Sequence, residues 1–293
     1  MKLSLVLMAF LIGTTSVWFS RFAAADEMRD VVTFYASFDE KLDGDFGQGD
    51  LRLWSYVNDP KTKGKVGRLG CDTKKVSLSP QGKRGGALET RGGLADGGFL
   101  YFPVAGKFAM PKQGGGWGGA VSLWVKADLA KIGDKSMWDP VQITEKNWND
   151  GSLWCDLADG KSPRDLRLGL FPVIPAGAKA PDLVSGEKVW VRAKASPFRS
   201  QTWHHIVLTW NNFDSGKPDA WAECYFDGKL LNRAENRQAT MNWNREKARM
   251  MLGLGLIGMI DDVAVFNRPL TQEEITRLHK EPQILDKLGH SAK

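Results

Sequence analysis

The chain has 293 residues, of which 25% are charged, and its formal net charge is +6. This composition is typical of a globular protein, and the length suits one large domain or two small ones. No Pro-, Ser- or Gly-rich linker divides the sequence. Because the small excess of basic residues is spread among acids, the charge does not indicate a nucleic-acid partner.

The first 25 residues have the organisation of an export signal. Lys2 precedes an apolar run over residues 3–12, and three alanines at 23–25 form an A-x-A cleavage site. A membrane anchor is the alternative, but polar residues interrupt the apolar run, and no later segment is long enough to cross a bilayer. We therefore expect cleavage of residues 1–25 and a secreted or periplasmic chain with no membrane span. Its net charge is +4 once Lys2 and Arg21 are subtracted.

Three cysteines, Cys71, Cys155 and Cys224, remain after the signal and would face an oxidising compartment. They permit one disulfide with one thiol left over, and their spacing does not select the pair. The same spacing fits no zinc-binding pattern.

The rest of the chain has an almost entirely β pattern. Residues 31–38 illustrate it, since Val32, Phe34, Ala36 and Phe38 fall on one face. In chain order we predict strands at residues 31–38, 99–104, 120–127, 140–144, 153–157, 166–171, 189–193, 203–210, 222–226, 229–231 and 259–266. Many short strands with one terminal helix predict an all-β sandwich or jelly roll.

Residues 259–282 combine a strand, a turn and a helix. The strand is apolar except for Asp261 and Asp262, so it is expected to be buried on both faces. Because side chains alternate, at least one of these acids lies against apolar neighbours, where it needs a cation or several hydrogen-bond donors. Thr271 and Glu274 then form a capping box, which predicts a short helix that ends at Pro282.

Six segments stand out in this order: SFDE at residues 37–40, GGAL at 85–88, VSLWVK at 121–126, WHHIVLTW at 203–210, YFDGKL at 225–230 and GMIDDVAVFNRPLTQEEI at 258–275. Together they resemble laminin-G-like, concanavalin A-like jelly-roll domains of secreted bacterial proteins. The resemblance covers about residues 31–280, so we expect one domain over residues 26–280 and a C-terminal tail over 281–293. Residues 43–75 and 156–200 look longer than the family's usual form, and features peculiar to this protein are expected there.

The resemblance implies a two-sheet antiparallel jelly-roll sandwich with a short C-terminal helix, in which the first and last strands are adjacent. Asp39 would then lie near Asp261, and similar domains often hold a calcium ion at such a junction. One hypothesis is therefore a structural Ca²⁺ bound by Asp39 and Asp261, with Asp43 and Asp45 as further ligands. In the alternative, Asp261 accepts hydrogen bonds from a turn and Asp39 caps the end of the first strand.

The sequence carries no clear catalytic signal. Glucanases of this fold use Glu-x-Asp-x-x-Glu on one strand, and none of the glutamates here begins that pattern. His204 and His205 are adjacent on a strand and face opposite ways, so we expect them to be structural rather than to hold one metal ion. Carboxylates from different strands can still meet across a groove, which leaves a glycoside hydrolase as an alternative.

The chain contains 12 tryptophans, and some of them lie among polar residues. Sugars stack their apolar faces on aromatic rings, while planar polar side chains hold the hydroxyl groups. The alternative is that tryptophans fill the sandwich core, as we expect for Trp124, Trp203 and Trp210. The candidate glycan patch consists of Trp138, Asn147, Trp148, Asp150 and Trp154.

Three functions from different classes fit these patterns. We favour a secreted binding module that recognises a glycan on the concave sheet and has no catalytic activity. The alternatives are an extracytoplasmic protein-interaction or wall-associated scaffold, and a glycoside hydrolase or lyase. The expected partner is thus a glycan or an extracellular protein, and the sequence gives neither its identity nor the oligomeric state.

Overall fold

Two antiparallel β-sheets make up most of the structure, a computed structural model that describes residues 28–59, 64–69, 74–92, 98–110, 115–179 and 189–289. The strands are numbered in chain order across both sheets. The predicted export signal and Cys71 lie outside the described residues.

The first sheet has nine strands, and the last strand of the chain lies inside it. Its members are β1 Val32–Ala36, β2 Phe46–Gly47, β5 Val76–Ser79, β6 Ala87–Arg91, β8 Trp117–Ala127, β13 His204–Phe213, β14 Ala220–Phe226, β15 Lys229–Arg237 and β17 Ile257–Phe266. Neighbouring strands follow the order β15-β14-β13-β8-β17-β1-β2, while β6 also pairs with β17, and β5 pairs with β6.

Along one edge, β17 exchanges one partner strand for another. Residues 257–260 pair with β6 and residues 263–266 pair with β1, while the other edge pairs with β8. The ladder between β17 and β8 shifts between Asp261 and Ala264, and Asp262 has a φ of 50°. The two acids thus occupy a β-bulge at the point where the partner strand changes.

The second sheet has eight strands. They are β3 Trp54–Asp59, β4 Gly64–Leu69, β7 Phe99–Pro103, β9 Trp138–Asn147, β10 Asp150–Leu157, β11 Leu166–Phe171, β12 Trp190–Ala193 and β16 Arg249–Leu254. Their order across the sheet is β12-β11-β10-β9-β16-β7-β3-β4, and every pair is antiparallel.

The hydrophobic core lies between the two sheets, because side chains alternate along each strand and one set points inward. On the eight-stranded sheet, Ile143, Leu153 and Met250 belong to this set and are fully buried. The ring centroids of Phe34 from β1 and Phe102 from β7 are 4.6 Å apart, so the two layers interdigitate.

Two helices at the end of the chain, α2 Gln272–Lys280 and α3 Ile284–Gly289, cover the outer face of the nine-stranded sheet; a short helix, α1 Leu129–Ile132, follows β8. Thr271 and Glu274 form the predicted capping box of α2. The side chains that pack on this face with Tyr35 are Ile275, Leu278, Ile284, Leu285 and Leu288. None of the described helices combines the length and apolar character needed to cross a membrane.

These features confirm the predicted fold class, and the pairing of β1 with β17 confirms that the first and last strands are adjacent. Each of the predicted strands is present. The sequence analysis did not predict β2, β3, β4, β5, β6 and β16; of these, β2 to β4 lie in the insert at 43–75. Residues 281–293, expected as a tail, contain α3, whose apolar side chains are buried on the sandwich.

Candidate functional site

The outer face of the eight-stranded sheet carries side chains from seven strands in direct cross-strand register. Trp154 pairs with Gln142 on one side and Gly169 on the other, and Gln142 pairs in turn with Met251. The described helices contribute nothing to the apolar cluster on this face. We name the following set the aromatic row: Trp190, Gly169, Trp154, Gln142, Met251, Tyr101 and Trp54.

A cleft of about 470 Å³ opens on this face beside Trp154. Its volume lies within the range of small-molecule sites, which combine apolar walls with a few polar groups. Two tryptophan rings, one amide, two carboxyl groups and one guanidinium line it. We name it the aromatic cleft; these residues are Asp139, Gln142, Trp148, Trp154, Asp156 and Arg167.

Trp154 is held flat against the sheet because its cross-strand partner has no side chain. A Cβ added at Gly169 would lie only 2.1 Å from Cε2 of the Trp154 ring. The ring stacks on Phe171 with centroids 5.8 Å apart, and Nε1 donates a hydrogen bond of 2.8 Å to the carbonyl oxygen of Trp148. Trp154 is therefore fixed against the sheet, and the half-buried ring of Trp148 packs edge-on against Phe171, with centroids 5.7 Å apart.

Asp156 and Arg167 form a buried ion pair in the wall of the cleft. Nε and Nη2 of Arg167 each donate to one carboxylate oxygen, the first at 2.7 Å. The guanidinium carbon also lies 5.9 Å from the ring centroids of Trp154 and Trp190. Burial, followed by the charge of Asp156, raises the pKa of Asp139 well above its ordinary value, so the cleft favours the neutral form of that acid.

Two of the predicted patch residues, Trp148 and Trp154, lie together in the aromatic cleft. Asn147 and Asp150 lie at the β9–β10 turn instead. The Asn147 side chain accepts a 2.9 Å hydrogen bond from the Trp148 N–H, and Asp150 accepts one of 2.8 Å from the N–H of Ile174. Both side chains therefore shape the turn that carries Trp148.

Trp138 does not lie in the predicted glycan patch. Its ring is fully buried in the core, with its centroid 5.3 Å from that of Phe198. Regular alternation would place it on the same face as Gln142. However, residues 138 and 141 pair with residues 157 and 155, so β9 has one residue more than β10 in this interval. This bulge reverses the alternation and turns Trp138 inward.

Four of the residues that define the aromatic cleft were not in the predicted patch: Asp139, Gln142, Asp156 and Arg167. One signal was present, since Arg167 is the only charged residue in the apolar strand at 166–171. Its pairing with Asp156 depends on the β10–β11 register, in which these two residues are direct partners.

Asp261 lies at the bulge and satisfies the backbone of a turn. Its Oδ2 accepts hydrogen bonds of 2.7 and 3.1 Å from the N–H groups of Lys83 and Arg84, and its Oδ1 accepts one from Asp262. Asp39 accepts a 2.7 Å hydrogen bond from Gly86 in the same turn. The two acids predicted to be neighbours are thus joined through residues 83–86.

The other candidate calcium ligands make similar contacts. Asp43 accepts a hydrogen bond from the N–H of Leu53, and Asp45 accepts one from that of Ser37. Within the described part of the chain, no three His, Cys, Asp or Glu side chains are grouped to hold a metal ion. The carboxylates therefore do not by themselves fit a Ca²⁺ site of six to eight oxygens, and calcium at Asp39 and Asp261 stays a prediction.

His204 and His205 are both buried and make separate contacts. Nδ1 of His204 lies 2.8 Å from Oδ2 of Asp227, while Nε2 of His205 lies 2.8 Å from the Ser122 hydroxyl. Burial lowers the pKa of His205 to about 3, so its ring is neutral. These contacts fit the predicted structural roles.

Cys155 and Cys224 are buried free thiols inside the sandwich. Burial, with a contribution from Cys224, raises the pKa of Cys155 and disfavours the reactive thiolate.

Two facing antiparallel sheets, one with helices on its outer face and the other with aromatic residues and a cleft there, define a jelly-roll sandwich of the concanavalin A type. The sequence profile of the laminin-G family, described as the concanavalin A-like lectin/glucanases superfamily, matches residues 118–276. Since the match covers more than half of the chain, the protein belongs to this family. A search of curated protein sequences finds no match.

Solved structures with similar folds share little sequence with the chain. Domain 4 of AbnA, a GH43 extracellular arabinanase from Geobacillus stearothermophilus solved in complex with arabinotriose, is 15% identical with a TM-score of 0.53. The alignment covers 85% of this chain and 98% of that domain. The receptor binding domain of botulinum neurotoxin D is 12% identical with a TM-score of 0.54. There the alignment covers 87% of this chain and 54% of the toxin chain.

Proposed function

We propose that the protein is a secreted glycan-binding module whose ligand lies in the aromatic cleft on the open sheet face. The observation that carries this proposal is the cleft itself, where aromatic rings adjoin the amide of Gln142 and the Asp156–Arg167 pair. Rings bind the apolar faces of sugars, and planar polar groups orient the hydroxyl groups. The arabinotriose in the AbnA domain supports the class of ligand, since that domain shares the fold.

A glycan array with the chain lacking residues 1–25 tests this proposal. We expect binding to a subset of glycans, with a loss of about 10-fold or more in affinity for Trp148→Ala, because a truncated aromatic contact at the centre of a site typically costs more than 1 kcal/mol. Trp221→Ala is the matched control: this tryptophan is also half-buried but lies on the nine-stranded sheet.

The outcome also separates the binding module from the scaffold. Binding to no glycan, with or without calcium, would leave a protein-interaction or wall-associated scaffold as the better explanation. Equal losses for Trp148→Ala and Trp221→Ala would place the ligand elsewhere. Running the array with calcium and again with a chelator tests the predicted Ca²⁺ site at the same time.

A glycoside hydrolase is the second candidate, and one observation favours it. Asp139 and Asp156 both line the cleft, and the raised pKa of Asp139 suits a general acid while Arg167 holds Asp156 in place. Release of reducing ends from a bound glycan, lost in Asp139→Asn, is the expected result for an enzyme. Unchanged glycan after prolonged incubation, with binding intact, supports the binding module instead.

A further inference from the structure

The open face extends well beyond the aromatic cleft. A second aromatic cluster, defined as Trp54, Tyr56, Phe99, Tyr101 and Met251, covers β3, β7 and β16. Its rings stack in pairs, Trp54 on Tyr101 at 6.4 Å and Tyr56 on Phe99 at 4.7 Å between centroids. Within this cluster Phe99, Tyr101 and Met251 are buried, so Trp54 and Tyr56 supply its half-exposed rings. Leu254 packs against the cluster and also lines the cleft, so the two are continuous.

The length of this surface indicates a chain rather than a single sugar. The aromatic row crosses seven adjacent strands, and strands in a sheet are about 4.8 Å apart, so the row is roughly 29 Å long. The aromatic cleft occupies the part around Trp154, while Trp54 lies at the far end. A ligand that fills the row must therefore be linear and several sugar residues long.

Arg249 is the distinctive charge on this face. Its guanidinium carbon lies 4.5 Å from the ring centroid of Tyr56 and 5.5 Å from that of Tyr101. The residue is half-buried, and no described carboxylate lies within ion-pair distance of it. The cation is thus fixed by stacking, is available to a ligand, and lies beside the middle of the row.

The other arginines stacked on this face are each neutralised. Arg52 lies over Trp54 and pairs with Asp50 at 2.8 Å. Arg192 lies over Trp190 and pairs with Asp165 at 3.1 Å, and Arg167 pairs with Asp156 in the cleft. Each of these three arginines has a carboxylate partner. Arg249 has none among the described residues, so its position favours an anionic ligand.

We infer that this face binds a linear acidic polysaccharide, one of whose uronic-acid carboxylates pairs with Arg249. The sugar faces stack on the half-exposed rings of Trp190, Trp148 and Trp54, since Trp154 and Tyr101 are buried. This inference rests on the proposed glycan-binding function and specifies its ligand class. The planar guanidinium fork matches a carboxylate in a two-point contact, and its stacking on Tyr56 and Tyr101 fixes its orientation before binding.

The test compares polymers that differ only in charge. Polygalacturonate, alginate and hyaluronan, each in native and carboxyl-reduced form, are titrated against the protein by isothermal calorimetry, with dextran sulfate as a separate arm. At least one native polymer is expected to bind about 10- to 100-fold more tightly than its reduced form, the factor typical of one hydrogen-bonded charge pair. Added salt should weaken this difference.

Two variants locate the charge. Arg249→Gln should lower affinity for the native polymer to that of the reduced one. Arg233→Gln is the matched control, since Arg233 also stacks on an aromatic ring, that of Trp221, but lies on the nine-stranded sheet, and it should leave affinity almost unchanged. Thermal unfolding of both variants checks that the fold is intact, and the comparison of native with reduced polymers needs no variant.

The outcomes distinguish this inference from the proposed function. Equal affinity for native and reduced polymers overturns the acidic-ligand inference and leaves glycan binding standing. Tighter binding to dextran sulfate than to every uronate overturns the assignment of a carboxylate. An equal loss in Arg249→Gln and Arg233→Gln overturns the role of Arg249. No binding to any polymer together with a blank glycan array overturns both proposals.

Discussion

Lys107 is a cation that the fold buries almost completely, with 1% of its surface exposed. Its Nζ donates a 2.6 Å hydrogen bond to the carbonyl oxygen of Asp50 and lies 4.9 Å from the ring centroid of Phe34. Burial lowers the pKa of Lys107 to about 8. The residue ties the loop before β3 to the core, although its charge opposes folding at neutral pH.

Lys107→Met is expected to raise the free energy of unfolding by about 1 to 2 kcal/mol at pH 7. A depression of the pKa from 10.5 to about 8 corresponds to roughly 3 kcal/mol, from which about 1 to 2 kcal/mol is lost because the Asp50 carbonyl loses its donor. Because the folded-state pKa is the lower one, the gain should shrink as the pH rises from 8 to 10.5.

Urea denaturation of both proteins across this pH range measures the difference. The exposed Lys229→Met is the control and should show no such pH dependence. A Lys107→Met protein that is less stable at pH 7 would show that the hydrogen bond and the cation–π contact outweigh the cost of burial.

The position of a single residue followed from the sequence where side chains alternate regularly, and did not where a bulge intervenes. Trp154 and Trp148 line the same cleft, because Trp148 lies in the turn next to the strand of Trp154, and their role in binding a ligand stays a prediction. Trp138 was wrong, since one extra residue in β9 reverses its side chain and no local sequence signal marks that bulge. Arg249 was not identified as a candidate binding residue, because its stacked position depends on rings from two other strands.

At the scale of elements, the ring of Trp154 on β10 can lie flat on the sheet because its partner on β11, Gly169, has no side chain. In Gly169→Ala the new Cβ cannot coexist with the ring at 2.1 Å, so we expect Trp154 to leave the sheet surface. Glycan binding in the aromatic cleft should fall at least about 10-fold, and the free energy of unfolding should fall by about 1 to 3 kcal/mol, as is usual for overpacking.

A double-mutant cycle isolates the cause. In a Trp154→Ala background, Gly169→Ala should have little effect on stability, because the ring that it displaces is already absent. Denaturation curves of the four proteins give the coupling energy. If the two substitutions have additive effects on the free energy of unfolding, Gly169 is needed for a reason other than leaving room for the Trp154 ring.

Elements with a strong local pattern were predictable from the sequence, and those with a weak one were not. The capping box of α2 and the apolar strand β17 lie in continuous signals. In contrast, β16 spans residues 249–254 with three glycines close by at 253, 255 and 258, and its apolar run does not alternate. Such strands form because neighbours in the sheet supply hydrogen bonds, which a short sequence window does not reveal.

At the scale of the whole molecule, burial shifts pKa values in two opposite directions: it raises those of two aspartates and lowers that of one histidine. Burial, followed by the charge of Asp262, raises the pKa of Asp261 to about 8, although backbone N–H donors act against the shift. Burial likewise raises the pKa of Asp262 to about 6, against the Tyr35 hydroxyl and Arg84, which favour the charged form. Burial instead lowers the pKa of His205 to about 3.

These shifts predict that the protein becomes less stable as the pH rises from 6 to 8. The aspartates have raised pKa values in the folded state, so their contribution is present when they are protonated and is lost as the pH rises through 6 and 8. His205 has a lowered pKa, so its contribution is lost as the pH falls below about 6.5. From pH 6 to 8 the free energy of unfolding should fall by roughly 1 to 3 kcal/mol.

Asp262→Asn tests which groups cause the alkaline decrease. Asparagine can still accept the hydrogen bond from Tyr35 and tolerates the positive φ at this position. It removes one buried charge and the repulsion on Asp261, whose burial remains, so the variant should lose less stability than the wild type between pH 6 and 8 in chemical denaturation. A decrease as steep as that of the wild type would assign the effect to groups other than this pair.

The placement of β17 has a consequence for how the chain is made. A ribosome synthesises this strand after the sixteen other described strands, yet it lies between β8 and β1 and also pairs with β6. Until residue 266 has emerged, β1 and β8 have no common neighbour and expose strand edges that other nascent chains can pair with. The nine-stranded sheet therefore closes only after residue 266 has been made, and its assembly depends on contacts between residues that are more than 200 positions apart in the sequence.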